Sequence, residues 1–289
     1  MRIVTDSATD TGLLHDSETD ANITIVPLKV NLGETSFKDG IDITPDEFYV
    51  ELEKSDVLPV TSQPSAGEFA KVYREIAKKD PDILSIHMSS GLSGTVNSAL
   101  AAVKMVPEAN ITIVDTKTLS AAAGWQVWAA VRGMKLGWSK EKILAKLKEV
   151  AAATTTLYTL KDLKYLIHGG RISHMKGLIA SVLYIKPLIG VHKELGNYTQ
   201  EGQARSFNKA IDGLVKIMGN TIAPEEKMRV LVVHTGNPEG AQTLKDKIDN
   251  AFNCDWLPTG QISFVLGAHT GTSMIGVGFT KASVFEELI

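Results

Sequence analysis

Two apolar runs of strand length flank an amphipathic run in the first half of the chain. Residues 83–88 and 111–114 suit buried strands, and Val96, Leu100 and Val103 between them recur at helical spacing. A strand, helix, strand order places the two strands side by side in parallel, because the helix crosses over between them. The chain is therefore expected to contain an α/β unit with a mainly parallel sheet.

The turn between the first of these strands and the helix is rich in hydroxyls and glycines. It covers residues 89–95 and includes Ser93. Small residues let a ligand approach the backbone, and the unpaired N–H groups of a new helix attract anions, so the turn suits a carboxylate or a phosphate. A plain turn in which Ser93 caps the helix and the glycines bend the chain explains the same residues.

A second hydroxyl-rich segment, predicted as a loop, covers residues 61–65 and opens another helix. Ser65 and Glu68 have the spacing of a capping box, which gives Ser65 a structural role. Thr61 and Ser62 precede the cap and have no such role. They are therefore candidates for ligand contact, with solvated loop hydroxyls as the alternative.

The character of the chain changes near residue 153. Before it, a strand predicted over residues 23–32, interrupted or placed at a sheet edge by Pro27, adds to the α/β pattern. After it, short strands and a hairpin turning at residues 194–197 alternate with helical stripes. We expect two domains: residues 1–152 form an α/β domain with a mainly parallel sheet, and residues 153–289 form an α+β domain with a mainly antiparallel sheet.

Charge and cysteine content narrow the classes of partner and compartment. The net charge of −3 and the pI near 6.2 leave no basic field for nucleic acid, so none is expected as a partner. The single cysteine, Cys254, cannot form an internal disulfide, and the N-terminus becomes polar at Asp6, which together indicate the cytoplasm. No apolar segment approaches the roughly 20 residues of a transmembrane helix, and none is expected.

Several motifs for catalysis are absent from the sequence. It has no G-x-x-x-x-G-K-[ST] loop, no H-E-x-x-H and no paired-cysteine metal motif, so neither a metal nor a cofactor is expected. Residues 91–95 depart from the nucleophile elbow G-x-S-x-G only at Thr95. A serine esterase using Ser93 and His269 therefore stays as an alternative, although no acidic residue is marked as the third member of a triad.

Eight short motifs occur in order along the chain. They are Ile3-Val4-Thr5-Asp6-Ser7, Pro27-Leu28, Asp39-Gly40-Ile41-Asp42-Ile43, Thr61-Ser62-Gln63-Pro64-Ser65, Ser90-Gly91-Leu92-Ser93-Gly94-Thr95, Gly170-Arg171-Ile172, Lys186-Pro187 and Gly267-Ala268-His269-Thr270-Gly271. In their order and approximate spacing, essentially the whole chain resembles the DegV family.

This resemblance implies a non-catalytic protein that binds a long-chain fatty acid in a buried tunnel between and within its two domains. It implies that a partner fatty acid kinase converts the presented carboxylate to an acyl phosphate. By motif position, the carboxylate site comprises Thr61 and Ser93, with His269 close by, Ser62 and Thr270 as neighbours, and Arg171 contacting the kinase or supporting the site. A carrier of another amphiphilic acid is a further alternative.

The sequence departs from the family pattern in two places that bear on this site. Thr272 and Ser273 follow the His269 motif where family members usually have Pro-Gly, which is expected to affect the loop that holds His269. His174 and Met175 after Arg171 are also atypical, which bears on the surface offered to a kinase.

Overall fold

In a computed structural model of the chain, the described residues are 1–14, 23–173, 175 and 185–289, so that His174 lies outside them. The first sheet has four strands: β1 (Arg2–Asp6), β2 (Ile23–Val26), β6 (Asp82–His87) and β7 (Asn110–Asp115). They lie in the order β2-β1-β6-β7 and are all parallel. The helix α3 (Thr95–Val103) connects β6 to β7, which confirms the strand–helix–strand prediction.

Helices pack on both faces of this sheet. Successive side chains of β1 point to opposite faces, so neighbouring residues of the strand contact different helices. Val4 packs with residues of α2 (Ala66–Ala77) and α3, whereas Ile3 belongs to a second cluster. That second cluster also contains residues of α1 (Pro45–Lys54), α4 (Ser120–Lys135) and α5 (Lys140–Ala153). The capping box predicted at α2 is present, with Ser65 accepting from the N–H of Glu68.

The segment predicted as one strand over residues 23–32 is two strands in two sheets. The chain breaks at Pro27 and continues as β3 (Lys29–Leu32), which pairs antiparallel with β4 (Thr35–Lys38) and β5 (Val60–Ser62). Thr61 and Ser62 therefore lie in a short strand, and their prediction as a loop is wrong. Three residues with Pro59 before them and Gln63-Pro64 after them are too few to show the alternation by which strands are recognised.

The second half of the chain forms a seven-stranded sheet. Its strands are β8 (Thr155–Thr159), β9 (Lys186–Val191), β10 (Tyr198–Ala204), β11 (Met228–His234), β12 (Cys254–Trp256), β13 (Gly260–Gln261) and β14 (Ile275–Lys281). The order is β10-β9-β8-β14-β11-β12, with β13 also on β11. Only β12 and β13 pair in parallel, so the mainly antiparallel sheet and the fold class are confirmed.

The described part of this half contains the helices α6 (Lys164–His168), α7 (Phe207–Thr221), α8 (Pro238–Asp249) and α9 (Phe264–Thr270), and 3₁₀ helices at Gly271–Ser273 and Ala282–Leu288. Ile275, Val277 and Phe279 of β14 pack with α7 and α8. In the described part of the chain, no helix has the length and apolar character required to cross a bilayer.

One hydrophobic cluster joins the two sheets. It contains Ile3 of β1, Trp125 of α4, Leu231 of β11 and Phe285 near the C-terminus. The division between residues 152 and 153 falls in the last turn of α5 and stays a prediction.

Candidate functional site

A small polar pocket forms where β5 meets α9. Thr61 Oγ1 and His269 Nε2 are 2.7 Å apart and share a hydrogen bond. The residues that line this polar pocket are Leu28, Thr61, Gln63, Met88, Leu92, Ser93, Arg171, Tyr198, Val265, Leu266 and His269. The structure thus brings together Thr61, Ser93, His269 and Arg171, four of the residues singled out in the sequence.

Strand geometry explains why Thr61 reaches the pocket and Ser62 does not. Thr61 pairs with Val30 and Ser62 with Lys29 in the antiparallel sheet. Successive side chains of a strand point to opposite faces, and Ser62 is exposed and absent from the lining. The expected contact of Ser62 with a carboxylate therefore has no support in this geometry.

The hydroxyl-rich turn holds Ser93 at the pocket wall without making it the helix cap. Gly94 is the N-cap of α3, and Ser93 Oγ lies 2.8 Å from Thr95 Oγ1. The backbone N–H of Ser93 donates to the carbonyl of Ser89 at 3.1 Å, which fixes the turn. Ser93 Oγ also accepts from the backbone N–H of Thr95 at 3.3 Å, so the side chain is held at the pocket and its hydroxyl hydrogen is the part that can turn to a ligand oxygen.

The same turn packs tightly against the tip of the β9–β10 hairpin. A side-chain carbon added to Gly91 would lie 2.5 Å from the carbonyl oxygen of Leu195. Gly196 has a φ of +69°, and an added carbon there would collide with the Ser89 side chain. The two glycines therefore allow the hairpin to dock, and the docked hairpin places Tyr198 in the pocket wall.

His269 is a neutral imidazole in this environment. Its side chain is buried, and burial, followed by the nearby charges of Arg171 and His168, lowers its pKa to about 3. Nδ1 has no hydrogen-bond partner among the described residues. Gly169 packs directly against the ring, and a side-chain carbon at that position would collide with Nδ1.

Arg171 brings a positive charge to the pocket wall. Its Nη1 donates to the carbonyl of Gly169 at 2.5 Å and its Nε to that of Leu92 at 3.4 Å. Partial burial lowers its pKa from the usual value. Within residues 1–14, 23–173, 175 and 185–289, no carboxylate forms an ion pair with it, so the guanidinium favours an anionic ligand.

An apolar cavity adjoins the polar pocket, and Tyr198 and Leu266 line both. The apolar cavity has a volume of ≈ 40 Å³ and lies between the start of α4 and the faces of β8, β11 and β14. Its lining consists of Leu119, Ser120, Ala121, Ala122, Thr156, Leu157, Tyr158, Tyr198, Val233, Ile262, Leu266, Thr270, Met274, Gly276, Val277 and Gly278. Thr270 therefore lines the apolar cavity and is absent from the lining of the polar pocket.

The departure at Thr272 and Ser273 leaves His269 in the pocket. Gly271, Thr272 and Ser273 form a 3₁₀ turn after α9. Ser273 Oγ accepts from the N–H of Lys161 at 3.0 Å, and its carbonyl accepts from Asn237 Nδ2 at 3.1 Å. These contacts tie the turn to the segment after β8 and to the start of α8.

The geometry does not form the catalytic triad that the esterase alternative requires. Ser93 hydrogen-bonds with Thr95, whereas His269 Nε2 bonds with Thr61. No carboxylate in the described part of the chain bonds to His269 Nδ1, the position that a triad aspartate occupies. Nor do the described residues contain a group of three or more His, Cys, Asp or Glu placed to hold a metal ion.

Sequence reasoning missed Gln63 and Tyr198 as pocket residues. Gln63 lies inside the motif of residues 61–65 but was not singled out, and a side-chain carbon on Gly94 would lie 2.7 Å from its Nε2. Tyr198 follows the hairpin tip, where its alternation with Thr199 is the only local signal.

Comparison with known proteins agrees with the resemblance found in the sequence. Residues 1–282 match the family model described as "Uncharacterised protein, DegV family". A DegV domain-containing protein of Staphylococcus aureus (strain MRSA252) is 37% identical over 279 residues, which cover 96% of this chain and 98% of that protein.

Solved structures of similar proteins share the fold over nearly the full chain. A DegV family protein from Thermus thermophilus, described for its fatty acid binding, has a TM-score of 0.87 at 30% identity, covering 97% of this chain and 100% of that one. A stearic acid-binding protein from Eubacterium ventriosum has a TM-score of 0.83 at 28% identity, with 97% and 98% covered. Together with the family match, these similarities show that the chain belongs to the DegV family.

Proposed function

We propose that this protein binds a long-chain fatty acid, with the carboxylate in the polar pocket and the acyl chain in the apolar cavity. The observation that carries the proposal is the shared wall of Tyr198 and Leu266, which places the apolar cavity directly beside the polar pocket. The solved relatives described as fatty acid-binding proteins support the same ligand class.

The acyl chain supplies most of the affinity and the pocket supplies the orientation. Each buried methylene contributes about 0.8 kcal/mol, so a long chain contributes far more than a few hydrogen bonds to the head. A carboxylate left without donors in a buried site would offset much of that gain. Thr61 and Ser93 provide hydroxyl donors in the pocket, Arg171 adds a positive charge to its wall, and the neutral His269 adds a hydrogen bond without a second positive charge.

We also propose that the protein presents the carboxylate to a fatty acid kinase and is not itself the catalyst. In that reaction a carboxylate oxygen attacks the γ-phosphorus of ATP, the bond from that phosphorus to ADP breaks, and an acyl phosphate forms. Hydroxyl donors suit this use, because they hold the carboxylate without closing a two-pronged arginine clamp over both oxygens. Arg171 is partly exposed at the pocket and is the residue we assign to kinase contact or site support.

ATP and the kinase require a cytoplasmic location, which the single, unpaired Cys254 supports. A carrier of another amphiphilic acid differs from this proposal only in the molecule recovered from the protein.

The deciding experiment is denaturing extraction of the purified protein, with mass spectrometry of the organic phase. We expect a long-chain fatty acid in near-stoichiometric amount, or its uptake when the delipidated protein is offered one. The proposal would be overturned if no fatty acid were recovered and the delipidated protein took none up. For the kinase step, ADP formation by a fatty acid kinase should require both this protein and the fatty acid.

A further inference from the structure

Strand β14 lies in the middle of the second sheet, and on its face toward the apolar cavity residues 276 and 278 are both glycines. Ile275, Val277 and Phe279 of β14 point to the face covered by α7 and α8. Gly276 and Gly278 alternate with them and line the cavity on the opposite face. Glycine weakens the interior of a strand, so two on one face call for a reason.

Backbone conformation does not supply that reason. Neither Gly276 nor Gly278 belongs to the glycines of positive φ, so both lie in conformations that any residue adopts. The reason is the room available for a side chain, and Gly276 and Gly278 differ in how close the neighbouring atoms are. A side-chain carbon on Gly276 would lie 3.1 Å from Tyr158 Cβ and 3.2 Å from the carbonyl of Leu157, whereas one on Gly278 would meet only Trp125 Cη2, at 3.9 Å.

Strand register places the two glycines at different depths. Gly276 is paired with Tyr158, whose ring contacts that of Tyr198 at a centroid distance of 5.4 Å, and Tyr198 belongs to the polar pocket. Gly278 is paired with Thr156 and lies two residues further along β14, about 7 Å from Gly276. Gly278 is thus at the end of the cavity far from the polar pocket.

The neighbour that a side-chain carbon on Gly278 would meet is held rigidly. Trp125 is 1% exposed, and its ring packs edge-on against Phe285 at a centroid distance of 5.8 Å. Thr156, which pairs with Gly278 and lines the cavity, is also held, because its Oγ1 lies 3.3 Å from Thr118 Oγ1. The space over Gly278 therefore has neighbours that do not move easily to enlarge it.

We propose that Gly278 sets the chain-length limit of this protein, by leaving open the last part of the apolar cavity in front of Trp125. The inference rests on the proposed function, because it takes the acyl chain to run from the polar pocket toward Trp125. A side chain at Gly278 would occupy the position of the terminal methylenes and leave the head-group contacts unchanged.

Gly278→Ala and Gly278→Val test the assignment, and the latter places a strand-favouring side chain at the position. Affinities are measured for saturated fatty acids from decanoic to octadecanoic acid. Each methylene that no longer fits should weaken binding about fourfold, so the longest acids should lose about tenfold or more while decanoic acid is unaffected. The valine variant should move the preferred length further than the alanine variant.

Gly276→Ala is the matched control on the same face of the same strand. Its added carbon crowds Tyr158 near the polar pocket, so it should weaken acids of all lengths to a similar degree. Thermal unfolding checks that each variant is folded, and Gly278→Ala, whose added atom has ordinary contacts, carries the test if the valine variant does not fold.

An equal effect of Gly278→Ala on all chain lengths, or no effect on any, would overturn the assignment while the unsubstituted protein still binds fatty acids. Failure of the unsubstituted protein to bind any member of the series would instead overturn the proposed function. The two failures are therefore distinguishable in one set of titrations.

Discussion

Thr61 and His269 are 208 residues apart in the chain and are joined by a hydrogen bond of 2.7 Å. One belongs to a three-residue strand and the other to a short helix of the opposite half of the molecule. The bond fixes the imidazole at the polar pocket and leaves the Thr61 hydroxyl within reach of a ligand.

Removal of the Thr61 hydroxyl should therefore weaken fatty acid binding. Thr61→Val keeps the shape of the side chain and loses the bond to His269, and we expect affinity to fall about tenfold, the equivalent of one net hydrogen bond. Titration against a displaceable fluorescent fatty acid measures the change. Thr61→Ser, which keeps the hydroxyl, should restore most of the affinity.

The adjacent residue supplies the control for this variant. Ser62 is exposed and lies on the other face of β5, so Ser62→Ala should bind like the unsubstituted protein. A loss in Ser62→Ala as large as that in Thr61→Val would contradict the placement of Thr61 at the carboxylate.

Ser93→Ala should weaken binding by a similar factor and leave the fold intact, since Ser93 is not the cap of α3. Ser90→Ala is the matched control, because Ser90 belongs to the same turn but is exposed. Hydrolysis of an activated ester is measured in parallel. Turnover by the unsubstituted protein that disappears in Ser93→Ala would favour the esterase and count against the carrier.

Two adjacent glycines should give opposite results. Gly169→Ala pushes against the His269 ring and should reduce fatty acid affinity. Gly170 has a φ of +74° and open space around it, so Gly170→Ala should lower the free energy of unfolding by about 1 kcal/mol and leave affinity unchanged. Paired titrations and thermal unfolding separate the two effects, and equal affinity losses would refute the packing argument for Gly169.

Two buried carboxyl groups face the start of α9 and should make stability depend on pH. Asp10 Oδ1 accepts from the N–H of Ser263 at 2.8 Å. Burial raises the pKa of Asp10 to about 6 and that of Asp39 to about 7. Among the residues that the structure describes, none makes a well-formed hydrogen bond to either Asp39 oxygen, but the Ser7 hydroxyl and the backbone N–H groups of Phe264 and Val265 offset part of the rise in its pKa.

Because these pKa values are raised, the folded protein holds protons that the unfolded chain releases above pH 3.8. The two groups therefore cause the free energy of unfolding to fall as pH rises from about 4 to about 7, by up to about 1.4 kcal/mol per pH unit for each proton held. Asp39→Asn should flatten that fall and stabilise the protein most at the alkaline end.

Denaturant unfolding across this pH range measures the effect. Asp56→Asn, at an exposed position, controls for the loss of one negative charge. A stability difference between Asp39→Asn and the unsubstituted protein that does not change with pH would contradict the assignment.

Local patterns predicted the parts of the fold that local physics determines. The cap at Ser65 and the strand–helix–strand unit depend on neighbours within a few residues, and both are present. The break at Pro27 was also foreseeable, but the third sheet that follows it was not, since β3 pairs with the adjacent β4 and with β5, where Val30 meets Thr61. Pairings of this kind leave no periodicity in the sequence.

The site divides in the same way. Family motifs brought Thr61, Ser93, Arg171 and His269 to attention, and the structure places all four around one pocket. The motifs did not show which of Thr61 and Ser62 points to the pocket, because this depends on their positions in a strand that is too short to be recognised from the sequence. Asp10 and Asp39 were not expected to share an environment, since their proximity comes from the packing of both halves around α9.

The polar pocket has walls from both halves of the chain, with Thr61 and Ser93 on one side and Tyr198 and His269 on the other. A ligand held there contacts both halves at once. By mass action, its binding stabilises the arrangement in which the two halves are together. The loaded protein should thus survive proteolysis longer than the empty one. Conversely, a partner protein that separates the two halves would lower the affinity for the ligand without competing for any single contact.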